Sequence, residues 1–287
     1  MITVIGNLFI NSKEKLAHFK DSFLSIHFMS TNWVINIRGE YREEAFLFIR
    51  PLLKDALVEF SLLDDQRGWA ANLLDMMPSV LYDYVLLWNE DHVNLLTPED
   101  SLQLIGDLYI QDTDCLEYTW WPAYQDGQVF VSVPKSEGVF FDTFSVTKEA
   151  WVASLQPNNT FYLLGMPSIF KKTLILKLLN EDLHKWPWFV SRCIRKSVYL
   201  GLFFLIPSAR ITIFHKINSL IFKDKLPRFS KLTPFNLEKE GHRTDYLPLN
   251  IGMPKQEIFA CIDDDLGFPG YKLTSRNPKK IPYSMDF

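Results

Sequence analysis

The chain has 287 residues, 47% of them apolar and 22% charged, with 8 Trp and 23 Phe. That composition excludes a disordered chain and supplies a core for one large domain, or a domain with an appendage. The net charge of −4 hides a polarity: residues 171–232 carry 13 Lys and Arg against 3 Asp and Glu, on an otherwise acidic body.

Ile2 to Ile10 is β-branched and apolar and predicts a first strand, with Asn11-Ser12 opening a helix whose buried stripe is Leu16, Phe19, Phe23 and Ile26. Trp33 to Ile37 reads as a second strand, stopped by Arg38-Gly39, and Glu40 to Leu53 has helical spacing. Ala56 to Leu63 predicts a third strand ending in Asp64-Asp65, and Arg67 to Leu74 starts a third helix that Pro78 ends or bends. A fourth strand follows in Asp83 to Leu96, and Thr97-Pro98-Glu99-Asp100 is a strong helix start. This alternation predicts βαβ units and an α/β fold with a mostly parallel sheet flanked by helices. Beyond Gln111, Cys115 to Trp121, Gln128 to Val133 and Phe161 to Leu164 read as strands, and Lys171 to Leu179 as a helix. The Pro- and Gly-rich tail from Thr233 is expected to wrap the body as irregular structure.

Cys115, Cys193 and Cys261 are odd in number and far apart, with no spacing that suggests a zinc site or a disulfide framework, so a cytoplasmic setting is expected. The N-terminus has neither a basic n-region nor a small-residue cleavage site. The most apolar run, Val198 to Ile206, ends at Pro207, short of the ~20 residues a spanning helix needs.

The chemistry is expected at Asp83 to Leu96. The run Tyr84-Val85-Leu86-Leu87-Trp88 suits a strand buried on both faces, and it delivers Asn89-Glu90-Asp91-His92 abruptly. Acidic groups at such a strand end lie where open α/β sheets place ligands. Two adjacent carboxylates there are costly unless a cation neutralises them, which suggests a metal and diphosphate site. A solvated polar loop is the plainer alternative. Ile258 to Asp265 also looks like a strand feeding an acidic triplet. It lacks a surrounding βα pattern and reads as a tail element facing the acceptor.

Arg67-Gly68-Trp69-Ala70-Ala71-Asn72 ahead of Trp88-Asn89-Glu90-Asp91-His92 resembles the order of parts in GT-A glycosyltransferases, most like the inverting bacterial enzymes of family 2. The resemblance covers roughly residues 1–195 as pattern rather than close identity. It implies that Asn89, Glu90 and Asp91 hold Mg²⁺ or Mn²⁺ on the diphosphate of a nucleotide-sugar donor. Asn89 stands where the family usually has a carboxylate. It further implies that Asp64 or Asp65 contacts the base or ribose, that the loop Asn7 to Phe9 walls the same pocket, and that Arg67 and Asn72 belong to it. A late His242, with Arg243 and Lys255, would reach the diphosphate, and His92 could donate to a phosphate. Gly165 to Lys172 resembles the family's acceptor loop. Glu181-Asp182 resembles the pair at the start of the following helix, with Asp182 as general base.

The resemblance divides the chain into a nucleotide-sugar-binding core (1–170), a basic helical segment facing acceptor and membrane (171–232) and a tail (233–287). In the middle segment Trp186, Trp188 and Phe189 alternate with Arg192, Arg195 and Lys196, as in interfacial helices on anionic lipid. A buried helix pair with a basic solvent face is the alternative, and the segment is too greasy for a nucleic-acid groove. The expected activity is sugar transfer from a UDP- or dTDP-linked donor to a lipid-linked or surface-polysaccharide acceptor, peripherally on the membrane. The rivals are a nucleotidyltransferase on a related sheet and an inactive scaffold of the same fold.

Overall fold

The structure, a computed structural model, describes residues 1–61, 69–117, 136–150, 168–182, 246–256 and 258–262. In chain order they form β1 (Thr3–Phe9), α1 (Lys13–Ile26), β2 (Asn32–Arg38), α2 (Arg42–Ile49), β3 (Leu57–Ser61) and α3 (Trp69–Met76). A 3₁₀ turn (Met77–Ser79) leads to β4 (Tyr84–Trp88), β5 (His92–Asn94), α4 (Pro98–Ile110) and β6 (Cys115–Glu117). Then come β7 (Ser136–Glu137), β8 (Phe141–Val146), β9 (Ser168–Lys171), α5 (Lys172–Asp182), β10 (Leu249–Pro254) and β11 (Phe259–Cys261).

Nine strands make one sheet in the order β3-β2-β1-β4-β9-β6-β10-β8-β7. β3, β2, β1 and β4 are mutually parallel. β9 runs against both β4 and β6, β10 is parallel to β6, and β8 runs against β10 and β7. Only β9 and β8 therefore oppose the common direction. The fold is α/β with a large, mostly parallel sheet, as expected.

Side-chain alternation sorts the sheet into two cores. Val4 and Leu8 of β1, Trp33 and Ile35 of β2, and Tyr84, Leu86 and Trp88 of β4 face α1, α2 and α4. Ile5, Val34, Val85 and Leu87 point the other way, onto α3 and α5. Both faces are covered, which is why β4 reads as an unbroken apolar run. The expected caps hold: Ser12 Oγ accepts from Lys15 N at 3.1 Å, and Thr97 Oγ1 accepts from Asp100 N at 3.2 Å with Pro98 at the first helical position. α2 stops at Ile49, short of the expected Leu53, because Pro51 has no N–H to continue the helical ladder beyond the Arg50 bond to the Phe46 carbonyl.

Several expectations need correction. The tail is not wholly irregular: Leu249–Pro254 is an interior strand of the main sheet, and Phe259–Cys261 pairs with β5. Ser168 to Lys171, expected in an acceptor loop, is β9, with Ser168, Ile169 and Phe170 buried between β4 and β6. β7 and β8 were not expected at all; in β8, buried Phe141 and Thr143 alternate with the less buried Asp142 and Phe144. β6 is described for Cys115–Glu117, whereas the expected strands at 128–133 and 161–164 lie outside the described residues. Almost all of the basic segment does too.

At the N-terminal edge of the sheet, Lys171 Nζ lies 2.7 Å from Asp112 Oδ1 and 2.8 Å from Asp114 Oδ1. Asp114 Oδ2 also accepts from Asn250 N at 2.8 Å, so one carboxylate ties β9 to β10. Burial lowers the Lys171 pKa, but the hydrogen bonds it donates to the two aspartates outweigh it and hold the ammonium above its ordinary 10.5. The contribution is therefore complete through the neutral range and fades as pH rises past that value. Lys171→Met should cost about 1–2 kcal/mol by chemical denaturation, since charged hydrogen bonds are lost at a partly exposed site. An unchanged midpoint would show that the network adds nothing.

Gly39, between β2 and α2, has φ of +98°, and a Cβ there would lie 2.3 Å from the Ile10 carbonyl oxygen. That carbonyl accepts from Tyr41 N at 3.1 Å, closing the corner beside the C-terminal end of β1. Gly39→Ala is expected to lose about 1–3 kcal/mol. A lower denaturation midpoint at unchanged slope is the readout; wild-type stability would contradict the clash.

Candidate functional site

β1 to β3 grow to one side of β1, and β4 is laid on the other side. The order 3-2-1-4 is that of doubly wound nucleotide-binding sheets, which bind ligands outside the strand ends where the order reverses. In this chain that place is the C-terminal edge of β1 and β4. β4 ends at Trp88, so Asn89, Glu90 and Asp91 emerge there.

Trp88 anchors the edge. Its ring lies 5.3 Å from Phe19, 5.9 Å from Phe23 and 5.8 Å from Trp33, an aromatic cluster under α1. Trp88 Nε1 donates to Ser22 Oγ at 2.8 Å. The Ser22 hydroxyl in turn donates to the His92 carbonyl, with the Asn89 carbonyl 3.2 Å away. One turn on, Ser25 Oγ accepts from Asn94 N at 2.9 Å, and Asn94 Nδ2 reaches Ser101 Oγ at 3.0 Å. Both ends of the 89–94 segment are thus pinned to α1. Sequence reading missed Ser22 and Ser25; the available signal is two hydroxyls three residues apart on a helix face, beside Phe19, Phe23 and Ile26.

The two adjacent carboxylates go to different partners. Glu90 lies 3.5 Å from Lys15 Nζ on the first turn of α1. Burial and the neighbouring Asp91 raise the Glu90 pKa, with Lys15 opposing. Arg38, at the end of β2, feels Glu90 electrostatically and lies over the Phe9 ring at 5.7 Å. Asp91 turns instead to His92, with Oδ1 2.5 Å from Nδ1. Burial alone would raise the Asp91 pKa, but the His92 ring outweighs it and the net shift is downward. The Nδ1 of His92 is therefore taken up by Asp91.

The acidic-tail strand also belongs here. β11 pairs antiparallel with β5, placing Cys261 opposite His92, and Ile262 N donates to the Asp91 carbonyl at 2.7 Å. The Asp91 carboxylate, the His92 ring and the Cys261 sulfur offer ligand atoms that all lie within 4.8 Å of one another. These three could hold a metal ion, with nitrogen and sulfur beside the Asp91 carboxylate. Glu90, expected in an all-oxygen set, is held by Lys15.

The remaining expected residues are placed as follows. Asn7 is a β1 residue, not a loop residue, and it is buried. Its Nδ2 donates to the Trp69 carbonyl at 2.9 Å and its Oδ1 accepts from Asn36 Nδ2 at 2.9 Å, so its amide joins β1, β2 and the start of α3. Phe9 is half-exposed beside Arg38. Asn72 is buried within α3. Asp64, Asp65, Arg67, His242 and Arg243 lie outside the described residues. Lys255 pairs with Asp142 at 3.0 Å, between β10 and β8. Glu181 and Asp182 are the last two residues of α5 rather than the start of a helix. α5 begins beside Asp83, at the N-terminal end of β4, where Lys172 N donates to the Asp83 carbonyl at 2.7 Å. Its buried residues Leu174, Ile175 and Leu178 pack on the sheet face shared with α3, carrying its end away from that edge.

No protein-family model matches the chain, and no curated protein matches it. Among solved structures the chain is similar to S. aureus TarS 1–349, at 12% identity and a TM-score of 0.47, covering 90% of this chain and 60% of that one. UDP-glucose pyrophosphorylase, solved in complex with UDP-glucose, is similar at 11% identity and a TM-score of 0.37, covering 63% of this chain and 80% of that one. The apo form of the glycosyltransferase GlyE of Streptococcus pneumoniae TIGR4 is similar at 11% identity and a TM-score of 0.31, covering 87% and 53%. The chain spans less than two thirds of the TarS and GlyE structures. At these values the likenesses add nothing to what the strand order itself defines. Among the described residues, no helix is long and apolar enough to cross a membrane.

Proposed function

We propose that this protein is a nucleotide-sugar-using transferase, a glycosyltransferase moving a sugar from a UDP- or dTDP-linked donor to a lipid-linked or surface-polysaccharide acceptor. The observation that carries the reading is the position of Asp91: a carboxylate kept ionised by His92, at the strand ends where the sheet order reverses. Lys15 and Arg38 beside it supply positive charge for a diphosphate, and the half-exposed Phe9 offers a face for the base. A divalent cation at Asp91 would offset the charge that builds on the leaving diphosphate.

Transfer to a hydroxyl also needs a base. Asp182 is the proposed one, supported by its place at the end of a helix returning over the sheet. The basic, aromatic stretch from Lys185 to Leu226 is proposed to bring the enzyme to a membrane carrying the acceptor.

The nucleotidyltransferase alternative needs a glycine-rich triphosphate loop after the first strand. Gly6 to Phe9 are strand residues, and only Ile10 to Ser12 separate β1 from α1. The test is calorimetric binding and slow hydrolysis of a panel of UDP- and dTDP-sugars, with and without Mg²⁺ or Mn²⁺. At least one sugar nucleotide should bind more tightly than its free nucleoside. No binding to any member under any condition would sink the transferase reading.

A further inference from the structure

We propose that Asp91, His92 and Cys261 form a three-donor site for a transition-metal ion, zinc above all, in which the C-terminal strand β11 supplies the thiolate. The existence of the site does not depend on the transferase reading; its role beside a diphosphate does.

The donors converge through the backbone. Cys261 and His92 are direct partners in the β5–β11 ladder, and Ile262 N holds the Asp91 carbonyl at 2.7 Å. Leu95 N to the Ile258 carbonyl, at 2.8 Å, closes the other end of the same pairing. The His92 ring is stacked on Phe259, with centroids 6.0 Å apart and planes 13° apart, so its orientation is set before any ion arrives. The three ligand atoms all lie within 4.8 Å of one another. Bonds to zinc are about 2.0–2.3 Å long, so atoms around one tetrahedral ion lie roughly 3.3–3.8 Å apart. Asp91 Oδ1 and His92 Nδ1, 2.5 Å apart, would move apart to that spacing as the ion replaces the proton between them.

The chemistry of the set chooses the ion. A carboxylate oxygen, an imidazole nitrogen and a thiolate sulfur suit Zn²⁺ and Co²⁺, whereas Mg²⁺ demands oxygen donors in near-octahedral array. Three protein donors leave a fourth tetrahedral position, the pattern of zinc sites that engage a ligand. A diphosphate oxygen at this edge would fill it. Cysteine spacing could not reveal the site, because two donors are sequence neighbours and the third comes about 170 residues later.

The test uses the full chain and Co²⁺ alone. One equivalent should give a near-ultraviolet thiolate-to-cobalt charge-transfer band and intense tetrahedral visible bands, both abolished by excess Zn²⁺. Cys261→Ser and His92→Ala should lose the charge-transfer band, and Cys115→Ser should keep it, because Cys115 is buried in the main sheet. Cys261→Ala serves if the serine variant fails to fold by circular dichroism. No band in the wild type, or a band that survives in the folded Cys261 variant, overturns the site. Donor binding is measured on the same samples with Mg²⁺. A cobalt band without binding of any sugar nucleotide leaves the metal site standing and removes the transferase reading. Binding without the band does the reverse.

Discussion

Trp88→Ala should destabilise the protein by about 3–5 kcal/mol, the range for removing a large aromatic side chain from a packed core. The indole is almost wholly buried among Phe19, Phe23 and Trp33. β1 packs directly against it: a Cβ on Gly6 would lie 2.8 Å from Trp88 Cε3. Deleting the indole also removes the donor to Ser22, the residue that holds the carbonyls leading into and out of Asp91. Trp88→Phe narrows the comparison: it keeps a buried aromatic ring but gives up the N–H and part of the buried area, and about 1–3 kcal/mol is expected. Denaturant titrations of both variants are the measurement. Equal losses would mean that the ring kept in Trp88→Phe contributes nothing.

Asp91→Asn should cut turnover of the best donor by about 100-fold or more, as when a group stabilising transition-state charge is removed. The replacement is nearly isosteric, and the backbone contacts of residue 91 lie on its carbonyl, so the fold should survive. Glu90→Gln is the informative partner. Its carboxylate is held by Lys15, and a neutral amide there should cost far less activity. Near-normal turnover in Asp91→Asn with a collapse in Glu90→Gln would reverse the assignment and place the chemistry on Glu90.

The N-terminal half of the fold was legible because its rules are local. Ser12 and Thr97 cap their helices, the apolar face of α1 repeats at helical spacing, and β4 is apolar throughout because both its faces are covered. The second half rests on pairings between residues far apart in the chain, which short-range pattern does not encode. Leu249 to Pro254 follows Pro248, carries Gly252 and Pro254 and reads as loop, yet its place between β6 and β8 makes it a strand. The same limit applied to the site. Asn89 to Asp91 could be found from one run of sequence, but the partition of its two carboxylates could not. That partition depends on Lys15 and His92, and on Cys261 brought in by β11. Asn7 shows the opposite error. A polar residue near a strand end invites a ligand, and here its amide ties three elements together instead.

The pairing of β11 with β5 also sets an order of events in folding. Strands β1 to β3 pair with their neighbours in sequence and β4 joins β1 across about 80 residues, so these contacts close shorter loops and can form earlier. The β5–β11 contact closes a loop of about 170 residues, and such long-range pairings form late and slowly. The edge that would receive a nucleotide is therefore assembled well before Cys261 reaches it. A refolding chain should recover tryptophan burial first and cobalt binding last, passing through a species with its strand ends in place and its third metal donor still missing.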